Sequence, residues 1–335
     1  MATAKQALIQ VEAGQTLVTY ESLTDSGDST VFNPSASVMS GKNEVVVRPN
    51  GVVTGINLVG TDTTNDTVAV AAFTAYSKGV LQAVGAEDVT ITRPSTDKAK
   101  VCSVTMTDAG ALAVIAGTDG ASTSFVETRG AAGGPPFIPV DSVEIAQVRV
   151  ATSSAGVVDA AEILQNGQYT ERADFPVYAV NNIGFGDNSL VAGKVNAFIE
   201  FNAALEPSHT GDTPKRVYCQ YYVPSFSDVA KGSGFVPAET SHSVSSEEYY
   251  GGTIASSSES LGQASFTAML EDGVTDPLVA LKNTVVTVKV FPNRNKSAYM
   301  LQQGTFGIGR TFPVDGQISA SVTVTAEVQT AEFAG

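Results

Sequence analysis

Apolar and polar residues alternate with a period of two along most of this chain, in short runs bounded by Gly, Asn, Asp or Pro. Val45-Val46-Val47, the turn Pro49-Asn50-Gly51 and the apolar run Val52 to Leu58 predict a hairpin. Thr67 to Tyr76 places Val68, Val70, Ala72, Thr74 and Tyr76 on one face. Val101 to Met106 and Leu112 to Ile115 flank the turn Asp108-Ala109-Gly110, and Val143 to Val150 alternates again. Later strands are predicted at Lys194–Phe201, Val217–Val223, Leu261–Leu270, Asn283–Phe291 and Thr305–Phe312. The last, Gln317–Gln329, alternates strictly: Ile318, Ala320, Val322, Val324, Ala326 and Val328 face a core, and Ser319, Ser321, Thr323, Thr325 and Glu327 face water. Short strands with such turns, rich in Thr and Val, mean an all-β architecture.

Helix signals are few. Asp276 as N-cap, Pro277 in the first helical position and Lys282 in the last turn predict one short helix. Asp159 is placed to cap a single turn, Ala160 to Leu164, that Gly167 stops. The strongest break, Gly130 to Pro136 (GAAGGPP), is a domain linker or a long loop inside one domain. With a second break near Asn166-Gly167, the expected division is an N-terminal β domain over residues 1–170 and a second domain over 171–335.

Composition narrows the classes. With 43% hydrophobic and 16% charged residues, the chain has material for a core and is not disordered as a whole. A net charge of −15 excludes a basic groove that grips nucleic acid. Met1 to Val11 lacks a continuous apolar stretch and is not expected to be a secretory signal, and no run is long enough for a membrane helix. Cys102 and Cys219 are expected as two buried thiols.

Candidate chemistry is sparse. His209 and His242, the only histidines, lie in Ser/Pro/Gly-rich sequence and are expected to be solvated. The glycines of Gly304-Thr305-Phe306-Gly307-Ile308-Gly309 are not followed by a capped helix, so they read as strand kinks or close backbone approaches rather than a phosphate cradle. The acidic pairs Glu247-Glu248 and Glu271-Asp272 are expected to be solvated turns rather than glycosidase carboxylates. No catalytic, cofactor or metal site is predicted, and the chain is not expected to be an enzyme. One cluster stands out: Tyr218, Tyr221, Tyr222, Phe226, Phe235, Tyr249 and Tyr250, in and around a segment between Val223 and Ile254 with no strong strand pattern. It reads either as a surface that docks on another protein or as a cover for the domain's own core.

The last third resembles the major tail tube proteins of long-tailed, non-contractile bacteriophages. The resemblance lies in an ordered series: the strand Gly262 to Leu270, the acidic turn Glu271-Asp272-Gly273, the helix Pro277 to Lys282, the strand Thr284 to Phe291, and the turn Phe312-Pro313-Val314-Asp315-Gly316 before a long Ser/Thr/Val strand. It spans about residues 190–330. Residues 1–170 lie outside that pattern and look like an added β domain on the tube exterior; chi-like, flagellum-seeking phages come to mind as its source.

The resemblance implies a tail-tube β-sandwich or barrel with one short helix. Its copies form homohexameric rings that stack into a hollow tube for DNA ejection. It implies an inter-ring loop at about 206–252 that uses the seven aromatics. The polar side of the closing strand (Ser319, Ser321, Thr323, Thr325, Glu327) becomes an acidic lumen wall in transient, non-specific contact with DNA. Partners implied are the chain itself, the tape measure protein and the tail terminator and tip proteins. The place implied is the virion tail after synthesis in the bacterial cytoplasm, with no insertion of the chain in a membrane. The alternative is a virion decoration protein or adhesin that binds host surface glycan or flagellum.

Overall fold

A computed structural model describes residues 7–48, 50–55, 57–165, 180–187, 195–205, 210–211, 216–250, 252–326 and 329–333. It is all-β, with antiparallel pairing throughout. Helix among the described residues is limited to Pro277–Ala280 and the 3-10 turn Ala160–Glu162. The largest sheet has nine strands. Its path runs Gly232–Val236, Ala264–Met269, Ser319–Ala326, Tyr299–Thr311, Val285–Phe291, Leu8–Ser22, Tyr218–Asp228 and Val46–Val47, and Ala331–Phe333 pairs beside Tyr299–Thr311.

The fifteen-residue strand Leu8–Ser22 lies inside this sheet. Its first four residues, Leu8 to Val11, pair with Val285–Phe291 and most of its length pairs with Tyr218–Asp228. Where the ladder to Val285–Phe291 ends, at Val11 opposite Val288, the register shifts past Glu12. The fully buried Glu12 carboxylate then replaces the missing backbone acceptor. It takes the Thr287 N–H at 2.9 Å, the Ser40 hydroxyl at 2.5 Å and the Gln15 amide at 2.8 Å. A buried polar group at a bulge needs such a partner set.

The sheet curls on itself. Val229 N–H donates to Ile9 O at 2.8 Å, and a Cβ on Gly232 would sit 3.3 Å from the Ile9 side chain, so the far strand returns to the first. The rolled sheet encloses a core that includes Ile9, Phe266, Val288, Phe306, Val322 and Val324, with Leu278 of the helix closing one side. A second sheet (Val180–Asp187, Val195–Phe201, Val31–Asn33, Thr24–Asp25) covers the other half, where Phe32, Ile199 and Phe201 meet Met39, Cys219 and Tyr221.

Residues 51–165 form a separate body of three small sheets around one core that includes Val68, Phe73, Val104, Met106, Ile145 and Val148. The chain organisation therefore differs from the expected split at 170. Residues 8–47 are woven into the same sheets as residues 180–333, and the added body is an insertion between Val47 and the segment after Gln165. Period-two patterning sees each strand but not its partner, so the sequence of residues 8–47 does not reveal the body they join. The predicted hairpin about Asn50 fails for the same reason: Val46–Val47 pairs with Tyr218–Asp228, whereas Gly51–Thr54 pairs with Phe73–Ser77. The turn is the crossing from one body to the other. Thr67 to Tyr76 likewise divides into Thr67–Val70 and Phe73–Ser77, in different sheets.

The Gly130 to Pro136 break is a loop inside the inserted body. Gly133 N–H donates to Thr118 O at 2.8 Å, and a Cβ on Gly117 would lie 2.8 Å from Gly134 O, so glycines permit two backbones to touch. Arg129 clips this loop to the core. Its guanidinium donates to Pro136 O at 2.5 Å and to Glu144 at 2.6 and 3.2 Å, with the Glu144 side chain 1% exposed.

The joint between the bodies is packed. Tyr218 OH donates to Asp141 at 2.6 Å, Ser77 Oγ donates to Asp141 O at 2.8 Å, and Arg48 lies 5.0 Å over the Tyr76 ring. The Tyr20 ring occupies the space a Cβ would need at Gly79.

Candidate assembly surfaces

Most of the aromatic cluster serves the chain's own core. Tyr218 and Tyr221 are buried in the strand Tyr218–Asp228, where they donate to Asp141 at 2.6 Å and to Glu21 at 2.5 Å. Burial, followed by the neighbouring carboxylate, pushes each phenol up to about 12. Tyr222 is half-buried opposite Leu17. Phe226 is half-buried and joins Phe291 and Tyr299 around Lys289, whose Nζ lies 5.7, 5.0 and 4.0 Å from the three rings. Burial holds that ammonium below its usual range. Phe235 packs on the rolled core. Tyr249 pairs through its backbone with Gly252, and the Tyr250 side chain is fully exposed.

The segment without a strand pattern is ordered β-structure, and its free part is narrower than the expected loop at 206–252. Residues 206–209 and 212–215, His209 among them, lie outside the described residues. Thr240–Tyr249 and Gly252–Leu261 pair residue for residue as a hairpin that belongs to no larger sheet. Residues 241–246 and 256–260 are exposed on both faces, so neither face rests on a core. One face carries a ladder of hydroxyl pairs: Ser241–Ser260 at 2.9 Å, Ser243–Ser258 at 2.7 Å and Ser245–Ser256 at 2.7 Å. The other sets His242 opposite Glu259 and leaves Val244 74% exposed. Alternating apolar positions are absent here because none of the described residues covers residues 241–246 and 256–260.

The closing strand is Ser319–Ala326, shorter than the expected 317–329. Ala320, Val322 and Val324 are fully buried, Ser321 and Thr325 are exposed, and Ser319 and Thr323 are half-buried. Glu327 lies outside the described residues. Flanking strands continue the polar face with Thr267 opposite Ser321 and Thr305 opposite Thr325. Of the three glycines read as close backbone approaches, Gly304 is one, since a Cβ there would collide with Thr325 O; a Cβ on Gly307 would instead meet the Thr323 side chain at 2.6 Å, and one on Gly309 would meet nothing nearer than Ser321 O at 3.9 Å. The face that results is made of hydroxyls and glycine, without a charged side chain at these positions.

The remaining candidates serve local structure. Asp276 precedes the helix but makes no capping bond. Its carboxylate turns back to accept the N–H groups of Glu271, Asp272 and Gly273 at 3.0, 3.2 and 2.7 Å. Asp272 accepts from the Thr275 hydroxyl, Val274 N at 2.6 Å and Thr275 N at 2.7 Å, which hold its carboxyl well below the usual range. The Glu271-Asp272 pair thus knits a loop. Cys102 and Cys219 are free and buried, and burial pushes both thiols up. Among the described residues no cluster suited to a metal ion occurs, and no helix is long and apolar enough to cross a membrane. No protein-family model matches the chain, and no curated protein matches it.

Proposed function

We propose that the chain is a self-assembling structural subunit, and specifically the tail tube protein of a long-tailed bacteriophage, whose hexameric rings stack into a conduit for DNA. The observation that carries this reading is the hairpin Thr240–Leu261. A two-stranded hairpin exposed on both faces is at best marginally stable in water. Here its strands run ten residues each with unpaired outer edges. Such edges invite a strand from another chain, and natural proteins rarely leave them uncovered. Assembly with further copies supplies the cover. The neutral hydroxyl face around Ser321 and Thr325 suits a wall past which DNA slides, because it offers no cation to exchange for phosphate counterions. Tape measure, terminator and tip proteins are the further partners of this reading, and Glu327 its candidate acidic group.

Negative-stain images of the purified chain test it, with rings or tubes expected. Removal of residues 240–261, with Glu239 joined to Gly262 by a short Gly linker, is expected to abolish assembly and leave both cores folded; Gly262 N–H already donates to Glu239 O at 3.0 Å, so the ends meet. Wild-type protein that stays monomeric at high concentration counts against the whole reading.

The second reading, a decoration protein or adhesin, draws on the inserted body. That body has its own core and shows Val80 and Leu81 about half exposed at a hairpin. A glycan array probed with the full chain, and with a chain that lacks residues 51–165, separates the two: binding that vanishes with the insertion favours this reading.

A further inference from the structure

The hairpin Thr240–Leu261 leaves the rolled sheet at a point held by a residue far away in sequence. Ala238, two residues before the hairpin, is fully buried and belongs to the rolled core. A buried backbone needs partners for both its N–H and its C=O. The ladder between Gly232–Val236 and Ala264–Met269 stops at Val236 opposite Ser265, and Thr330 takes over. Its N–H donates to Ala238 O at 2.8 Å, and its hydroxyl accepts the Ala238 N–H at 2.8 Å. Beside it, the Thr240 hydroxyl lies 3.4 Å from Gln329 Oε1.

Thr330 can reach Ala238 because a ladder breaks beside it. Along Tyr299–Thr311, one ladder runs as far as Gly304 opposite Ala326 and another begins at Leu301 opposite Ala331. Thr330 falls in the gap. Its hydroxyl donates to Oε1 of the fully buried Gln302 at 2.6 Å, and the Gln302 amide donates to Gln303 O at 3.0 Å. Past the gap Ala331 is buried, and the Phe333 ring stacks on Tyr299 with centroids 4.4 Å apart. Residues 330–333 are therefore fastened to an interior strand of the rolled sheet. On the hairpin's other strand Leu261 packs against the rolled core, and Gly262 N–H donates to Glu239 O at 3.0 Å. Beyond this base, residues 241–246 and 256–260 are exposed, so among the described residues the base alone sets the direction of the arm. The lever is long. Each strand has ten residues, which puts the turn on the order of 30 Å from the base. A swing of about 10° at Ala238 moves the turn by about 5 Å, roughly the spacing of two paired strands. An edge that is to pair with another chain needs its base held more closely than that.

We propose that Thr330 is the positioning residue of the hairpin: by bracketing Ala238 and binding Gln302 it fixes the angle at which the arm projects. A chain that pairs with the hairpin's edges then meets a strand already in place, which removes much of the ordering cost of binding. The use of this pose in assembly rests on the self-assembly reading; the pose itself does not.

Two variants of the full chain test it. Thr330→Val keeps the shape of the side chain and removes the hydroxyl; Thr330→Ser keeps the hydroxyl. Amide exchange at Ala238 is expected to quicken about tenfold in Thr330→Val, for the loss of one hydrogen bond, and to stay near wild type in Thr330→Ser. The pose is read as the distance between spin labels at Ser243→Cys on the hairpin and Ser297→Cys on the rolled sheet, both exposed positions, with the buried Cys102 and Cys219 unlabelled. Labelled chain is diluted into unlabelled chain so that only distances within one molecule count. The distribution is expected to be narrow in the wild-type and Thr330→Ser backgrounds and broad or displaced in Thr330→Val, with assembly by sedimentation lost alongside. A purely structural role would lower the melting midpoint and leave the distribution narrow. An unchanged distribution in Thr330→Val, or one already broad in wild type, overturns the proposal. A distribution that widens while Thr330→Val assembles like wild type overturns its part in assembly. One that widens while wild-type chains never associate upholds the positioning role and removes the self-assembly reading.

Discussion

Two hairpins of this chain share a backbone design and differ in everything that covers them. Lys100–Met106 and Leu112–Ala116 pair across a short turn, as do Thr240–Tyr249 and Gly252–Leu261. In the first, six consecutive residues from Val101 to Met106 are buried, because one face meets the inserted core and the other meets the Gly/Pro loop and Glu144. In the second, residues 241–246 and 256–260 face water on both sides, and only the base, at Thr240 and Leu261, is half-buried. The first hairpin is stabilised by its own chain. The described residues give the second no such cover, and on the self-assembly reading proposed above this difference separates a self-sufficient body from an assembly arm.

The covered hairpin is most vulnerable at Arg129. Arg129→Ala takes the bidentate guanidinium away from the buried Glu144 carboxylate, a loss of about 3–5 kcal/mol. The Ser103 hydroxyl and Gln147 amide still donate to Glu144, the latter at 3.3 Å, but neither carries charge. Chemical denaturation is expected to show the inserted body unfolding early while the rolled sheet keeps its midpoint. A change below about 1 kcal/mol would mean that solvent reaches Glu144 and that the covered hairpin is less self-sufficient than its burial indicates.

Much of the strand inventory was legible from alternation. Val143–Val150 and the Val101 to Ile115 hairpin fall where the pattern puts them, and the closing strand buries Ala320, Val322 and Val324 as read. Legibility ended where long-range pairing decides. Leu8–Ser22 looks like a generic strand, and only its partners, Tyr218–Asp228 and Val285–Phe291, reveal that the added body is an insertion. Residue type alone leaves the aromatic cluster open between a docking surface and a cover for the core, and it is strand parity with the Asp141 and Glu21 acceptors that directs Tyr218 and Tyr221 inward. The free hairpin was invisible for a plain reason: a strand with no core on either side has no apolar period to detect.

A middle-sized effect is expected where the first strand enters the sheet. Glu12→Ala removes the acceptor for Thr287 N–H and the Ser40 hydroxyl, both in buried surroundings, at a cost of about 1–3 kcal/mol. This loss belongs to the rolled sheet, so it mirrors Arg129→Ala: the large body's transition moves and the inserted body's stays. Amide exchange at Thr287 gives the local readout, with protection expected to fall. Unchanged protection there would show that the backbone ladder, not the carboxylate, secures the bulge.

The smallest effect comes from acid and sharpens the same contrast from the inserted side. Asp119 accepts the Ser95 N–H and hydroxyl, each at 2.8 Å, and pairs with Lys100 at 3.1 Å; Ser95 first and Lys100 after it hold the carboxyl at about 2 instead of 3.8. Asp97 is lowered too, by the Ser153 N–H and hydroxyl. Because the folded value lies below the unfolded one, the stabilisation is complete above about pH 4 and fades as pH falls through about 2. Melts of the inserted body should therefore drop between pH 4 and pH 2. Asp119→Asn, which keeps an acceptor but cannot titrate, should lie below wild type near neutrality and approach it in acid. A gap between the two proteins that stays constant across that range would mean that Asp119 acts only through the shape of its loop, and the charge would have no part in holding the covered hairpin's edge.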